Sequence, residues 1–221
     1  KSNRHFNKKG KQYFSTLKGL FVMKKLLSSI SSQLYKYYTY PIVDHAYLLI
    51  KSPGGNETPP HQDYVFWENK EKEAQPKSFI TFWFAIHNID ERNGTLKLIK
   101  SEQTTDISVL NTCKEPKLIH IKSNSDKGFS YTSTDNEANK KLSPVQVSQG
   151  ECIAFDAYSL HSSTPNISDT HRIALKIVLS EYKNMKKKSN FLSINLLLSR
   201  NKIFSFFYII IFFLKSRINY F

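Results

Sequence analysis

Residues 152–180 read CIAFDAYSLHSSTPNISDTHRIALKIVLS. The runs at its two ends, 152–156 and 172–180, are short, apolar and rich in β-branched and aromatic residues, the composition of buried strands. The same signal recurs upstream. Candidate strands are 46–51 (AYLLIK), 79–87 (FITFWFAIH), 95–99 (TLKLI), 118–122 (LIHIK) and 144–148 (PVQVS). Turn chemistry separates them at Pro53-Gly54-Gly55, Asn93-Gly94 and Gln149-Gly150. Asn93-Gly94 between two apolar runs predicts a hairpin. Residues 123–143, rich in Ser, Asn, Asp and Lys, read as a long surface insert.

Before the strands the period changes. Leu17, Leu20, Phe21, Leu27, Ile30, Leu34 and Tyr38 recur at spacings near three and four, which predicts a helix over 16–38. Ser15 or Thr16 can cap it and Pro41 stops it. Many short strands with one flanking helix predict a mainly β protein, a jelly roll or double-stranded β-helix with an N-terminal helix. The chain divides into a helical flank (1–45), a β domain (46–182) and a tail (183–221). In the tail, 203–214 (IFSFFYIIIFFL) is apolar but shorter than the roughly 20 residues that span a bilayer as a helix. Three readings of it stay open: an interfacial anchor, a segment packed on the core, and an extension outside the fold.

Charge is unevenly placed. The 221 residues carry a net +14. Residues 1–45 hold 9 Lys or Arg against one acid, and 182–221 hold 8 against none, whereas 46–181 hold 15 against 17. The β region is therefore slightly acidic. The basic flanks can meet phosphate or lipid head groups, but a nucleic-acid enzyme should surround its active site with positive charge, and none is expected here. Cys113 and Cys152 lie far apart and form no metal-type spacing, which points to a reducing, cytoplasmic setting. The chain begins at Lys1 without Met, as a fragment or processed chain would, and shows no signal peptide.

The chemistry-bearing residues are His61-Gln62-Asp63, then His161 and Arg172 about a hundred residues later. Two histidines and one carboxylate are the ligand set of non-haem Fe(II) oxygenases, bound so that positions on the metal stay open. In an extended segment, His61 and Asp63 point to the same side. His161 follows a strand, at a position that suits a barrel mouth. Arg172, at the head of an apolar strand, needs a partner if it points inward, and guanidinium geometry prefers a carboxylate. Taken singly, His61 reads better as a solvated loop residue and His161 as a satisfied core histidine; taken with Arg172 on the next strand, the metal reading is preferred. His5, His45, His87, His120 and His171 have no partner spacing. Tyr64, Phe66, Trp67 and Tyr158 flank the ligands and are candidates for a substrate pocket or for packing.

The stretches TPPHQDYVFW, TFWFAIHNIDERNGTLKLIKSE and GECIAFDAYSLHSSTPNISDTHRIALKIVL resemble the phytanoyl-CoA dioxygenase family over about residues 46–181. The resemblance implies a double-stranded β-helix and an Fe(II)- and 2-oxoglutarate-dependent oxygenase that uses O2 on a small-molecule substrate. It implies that His61, Asp63 and His161 are iron ligands. It assigns Arg172, assisted by Ser163, to the distal carboxylate of 2-oxoglutarate, and Trp83 to the co-substrate's metal-binding end. Asn93-Gly94 serves the turn, and Asn166 and Ser168 fix the loop before Arg172. Asp63 favours hydroxylation, since related halogenases replace the carboxylate with a small residue. Lys100-Ser101-Glu102 departs from the Gly-Ser-His-like segment of family members, and fewer residues than expected precede the core. A catalytically silent metal- or ligand-binding jelly roll is the alternative.

Overall fold

In the computed structural model, which describes residues 17–29, 31, 32, 34, 41–66, 78–99, 117–122, 131–181 and 192–193, the apolar runs form two antiparallel sheets. The strands are β1 (Ile42–Lys51), β2 (Thr58–His61), β3 (Ser78–Ala85), β4 (Leu96–Ile99), β5 (His120–Ile121), β6 (Thr132–Ser133), β7 (Leu142–Pro144), β8 (Cys152–Asp156), β9 (His161–Ser163), β10 (Arg172–Glu181) and β11 (Leu192–Ser193). One sheet has the order β11-β1-β10-β3-β8 and the other β2-β9-β4-β7, with β5 and β6 as a separate pair. From β1 to β4 and again from β7 to β10, successive main strands change sheet, the winding of a jelly roll.

The faces follow from the period of two. On β10, Leu175, Ile177 and Leu179 join a cluster with Met23, Leu27 and Leu34 of the N-terminal helical region. On the other face, Ala174 packs with Trp83, Ala85 and Phe155, and Val178 packs with Tyr64 and Phe79. The β3 strand is divided the same way, with Ile80, Phe82 and Phe84 toward the helix and Trp83 and Ala85 inside. A register shift between Val43 and His45 makes a bulge in β1, so Val43 and Ala46 reach the same helix-side cluster despite their odd spacing. Each fully buried Leu of this kind contributes about 1.5–3 kcal/mol.

Several expectations are corrected. The helix runs Leu17–Ser29 with further helical residues to Leu34, and its buried face is Met23, Leu27 and Leu34, while Phe21 is exposed. Met23 wins the core position because it stands four residues before Leu27, on the same stripe. Asn93-Gly94 is not a hairpin turn: β3 pairs with β10 and β8, and β4 pairs with β9 and β7, so the loop carries the chain from one sheet to the other. The 123–143 stretch is no plain insert. It contains β6, a helix over Asn136–Lys140 capped by Asp135, and part of β7; residues 123–130 are not described. The 144–148 run is β7 at its start and a single bridge, Val147 with Ile89, further on. Short strands β2 and β9 had no apolar run to reveal them, because they carry TPPH and HSS. Leu192–Ser193 pairs with the start of β1. Trp67, Lys100-Ser101-Glu102, Cys113 and the 203–214 run lie outside the described residues. Among the described residues, no helix is long and apolar enough to cross a membrane.

Candidate metal centre

The β2–β9 pairing sets His61 directly opposite His161. Their rings lie 4.2 Å apart, and both residues are buried. Asp63 does not continue the strand; it opens a single 3-10 turn, Asp63–Phe66, fastened by the Tyr64 amide donating to the Ala157 carbonyl at 2.9 Å. That turn aims Asp63 at the histidine pair. His61 Nε2 and His161 Nε2 each stand 3.8 Å from Asp63 Oδ1. The metal-binding atoms of the three residues all lie within 4.8 Å of one another.

The imidazoles are oriented from behind. His61 Nδ1 is 2.9 Å from the Pro59 carbonyl, and His161 Nδ1 is 2.9 Å from the Ser159 carbonyl. A carbonyl can only accept, so each Nδ1 carries the hydrogen, and in the neutral ring Nε2 then presents the lone pair. Burial holds both histidines below their ordinary pKa. For His61 the neighbouring His161 lowers it further, while Asp63 opposes the shift; for His161 Asp63 likewise opposes it. For Asp63, burial pushes the carboxyl up, but Lys176, then His161 and His61, outweigh it and hold it well below the usual carboxylate range. Two neutral imidazoles and one carboxylate are the donor set an Fe(II) ion takes in such enzymes, so the residues present fit that metal.

The carboxylate is supported on its other oxygen. Lys176 Nζ lies 2.8 Å from Asp63 Oδ2, and the buried Thr81 hydroxyl donates to it at 3.3 Å. Gln62, between His61 and Asp63 and fully buried, points elsewhere. Its side chain accepts from the Leu118 amide at 2.9 Å and donates to the Tyr158 carbonyl. Its own amide donates to His120 Nε2 at 3.1 Å, and His120 Nδ1 donates to the Leu118 carbonyl at 2.8 Å. The motif is thus clamped to the segment carrying β5.

A second cluster lies at the junction of β1, β9 and β10. Arg172 is buried, donates from Nε to the Gly94 carbonyl at 3.1 Å and from Nη1 to the Leu49 carbonyl at 3.2 Å, and lies 5.5 Å from the centre of the Trp83 ring. Trp83 is accordingly beside Arg172, and the β3 residue that reaches the triad is Thr81. The Ser163 hydroxyl accepts from Lys51 Nζ at 2.8 Å and from the Thr58 amide at 3.2 Å. Lys51 is buried and also donates to the Thr164 carbonyl. Two glycines make room for it: a Cβ on Gly55 would meet Lys51 Cγ at 2.8 Å, and one on Gly94 would meet Lys51 Cδ at 2.7 Å. Asn166 fixes the loop before Arg172, donating to the Lys51 and Thr170 carbonyls and accepting from Ser168.

Sequence reading missed Lys51, Thr81, His120 and Lys176. For Lys176 a signal existed: it shares the parity of Arg172 within an apolar strand, so it faces inward. For the others the partners come from distant strands. Around the triad, Phe66 is 42% exposed and stands edge-on to His61 at 6.3 Å and to Tyr131 at 5.6 Å, which places it beside the metal position. Tyr64 instead is buried, stacked on Tyr158 at 5.3 Å under Lys117.

Residues 7–174 match the family model described as Phytanoyl-CoA dioxygenase (PhyH). No curated protein matches the chain. Among solved structures, the apo form of the non-heme monooxygenase ThoJ is similar, with 17% identity, a TM-score of 0.50 and coverage of 70% of this chain and 52% of that one. The epimerase SnoN, in complex with Fe3+, alpha ketoglutarate and nogalamycin RO, has 14% identity, a TM-score of 0.54 and coverage of 79% and 64%. EvdO2 from Micromonospora carbonacea var. aurantiaca has 18% identity and a TM-score of 0.49, with coverage of 62% and 51%. At these identities the two higher-scoring likenesses show the double-stranded β-helix fold. The chain spans about half to two thirds of the length of these three structures.

Proposed function

The chain belongs to the phytanoyl-CoA dioxygenase family, and we propose that it is an Fe(II)- and 2-oxoglutarate-dependent oxygenase that hydroxylates a small organic substrate. The observation that carries this reading is the convergence of His61, Asp63 and His161 on one point, with both Nε2 lone pairs and Asp63 Oδ1 turned toward it. When bound, Fe(II) with 2-oxoglutarate and O2 supplies oxidation of a C–H bond to an alcohol, with release of succinate and CO2.

The protein's own residues bind and orient. His61, Asp63 and His161 hold the metal, and the Pro59 and Ser159 carbonyls keep the imidazoles in the ligating tautomer. Arg172 receives the distal carboxylate of 2-oxoglutarate. Its guanidinium is already held by two main-chain carbonyls and the Trp83 ring, so little ordering is left for the moment of binding. Ser163, fixed by Lys51, lines the same end. Phe66 and Tyr131 offer an apolar edge beside the metal for the organic substrate. The carboxylate ligand leaves no vacant place for a halide, which favours hydroxylation. A reducing, cytoplasmic setting suits Fe(II) and the free Cys152 thiol, which burial pushes up to about 12.

The test is an anaerobic titration with Fe(II) and 2-oxoglutarate, read by the weak visible metal-to-ligand charge-transfer band. The parent should develop the band, His61→Ala should lose it, and Arg172→Ala should need much more 2-oxoglutarate. A folded parent without the band would overturn the reading and leave a silent jelly roll.

A further inference from the structure

Lys176 is not one of the candidate metal ligands, yet it touches one of them directly. Its ammonium lies 2.8 Å from Asp63 Oδ2, across 113 residues of sequence. The strand that carries it is central, paired with β1 on one side and β3 on the other, so the backbone of Lys176 is held at Tyr47 and Trp83. The side chain is 18% exposed and that of Asp63 4%, so solvent screens the pair weakly.

The charge count of the site follows. An imidazole that ligates a metal must be neutral, so both histidines count as zero. Asp63 contributes one negative charge and Lys176 cancels it. Without the lysine, two imidazoles and a carboxylate would carry a net −1 and attract a divalent cation. Here the cation meets a neutral site, and once bound it leaves a charge of +2 in a poorly screened pocket. A dianion offsets that charge at the metal; Arg172 and Lys51, buried cations of the neighbouring cluster, add positive charge that is the same with and without Lys176. The division of the carboxylate supports this arrangement: Oδ2 is occupied by Lys176 and Thr81, while Oδ1 faces the histidines, so the lysine can stay in place when a metal is bound to Oδ1.

We propose that Lys176 couples the metal to the co-substrate: it weakens binding of the divalent ion alone and makes its retention depend on a dianionic ligand. The inference rests on the Fe(II) and 2-oxoglutarate reading above. By reciprocity, the metal must strengthen 2-oxoglutarate binding by the same factor. The functional consequence is a site that does not hold redox-active metal without the co-substrate that directs its chemistry.

The experiment measures Mn(II) affinity, from the electron paramagnetic resonance signal of the free ion, with and without 2-oxoglutarate. The proteins compared are the full chain, Lys176→Met and Lys176→Arg. Removing the positive charge should tighten binding of Mn(II) alone by about tenfold or more and reduce the effect of 2-oxoglutarate by a similar factor. Lys176→Arg should behave as the parent. Lys176→Gln, a second neutral replacement, gives the same comparison if the Met variant does not fold. If neutral variants bind Mn(II) alone no tighter than the parent, or more weakly, while all bind it with 2-oxoglutarate, Lys176 only orients Asp63 and the coupling is overturned. If folded parent and variants bind no Mn(II) even with 2-oxoglutarate, the cofactor reading falls and takes this inference with it.

Discussion

Replacing Gly94 by Ala should damage the fold through two separable causes. Gly94 adopts φ +99°, a conformation that L side chains rarely adopt, which costs about 1–2 kcal/mol for a residue with a Cβ. The added methyl would also stand 2.7 Å from Lys51 Cδ and 3.5 Å from Lys51 Cε and the Thr164 carbonyl. The lysine stem has little room to yield, because its ammonium is tied to the Ser163 hydroxyl and the Thr164 carbonyl and its Cγ lies against Gly55. Overpacking of this kind costs about 1–3 kcal/mol. The total, about 2–5 kcal/mol, is a large part of a typical domain's stability of about 5–15 kcal/mol. Urea unfolding of four proteins separates the causes: the parent, Gly94→Ala, Lys51→Ala and the double variant. Lys51→Ala removes the stem and leaves its hydrogen-bond partners in the same state in both backgrounds, so that loss cancels in the cycle. Gly94→Ala should therefore cost about 1–3 kcal/mol less when residue 51 is Ala. An identical cost in both backgrounds would refute the steric argument, and no cost in either would refute the backbone argument as well.

Two further outcomes follow from the same structure. Leu27 is fully buried where the N-terminal helix meets β10, so Leu27→Ala should lose about 2–5 kcal/mol in the same assay, and a loss under 1 kcal/mol would mean that the helix does not pack there. The metal-free protein should lose stability as pH falls below about 6.5, the ordinary histidine value. Burial depresses both His61 and His161, so the unfolded chain takes up protons that the folded chain refuses, and stability rises with pH through that window. The slope approaches about 1.4 kcal/mol per pH unit for each histidine, and the double variant His61→Asn, His161→Asn should flatten it; an unchanged slope would place the effect elsewhere.

The order of strands was legible wherever burial was two-sided. Runs 79–87, 152–156 and 172–180 are apolar enough to announce themselves; the second formed the predicted strand and the other two nearly so. Strands β2 and β9 were not legible, because TPPH and HSS lack the apolar run that marks a buried strand. The candidate ligand histidines therefore stood out by chemistry and not by the pattern around them. The error at Asn93-Gly94 has a similar origin. Glycine there answers a positive φ and the Lys51 stem, and neither demand depends on the flanking runs pairing with each other. Lys176 shows what parity alone could give: an inward direction, but no partner, because Asp63 lies far away in sequence and reaches it through a turn that no apolar run encodes.

The clamp on Gln62 bears on how such a chain can change. Beyond the end of β4 at Ile99, the Leu118 amide and carbonyl are bound to Gln62 and His120. That fixes the chain at Leu118 beside the two candidate ligands that flank Gln62. Lengthening a loop with fixed ends costs only about 0.6 kcal/mol per doubling. A change of length or composition between positions 99 and 118 would therefore meet the anchor at Leu118 before it reached His61 and Asp63.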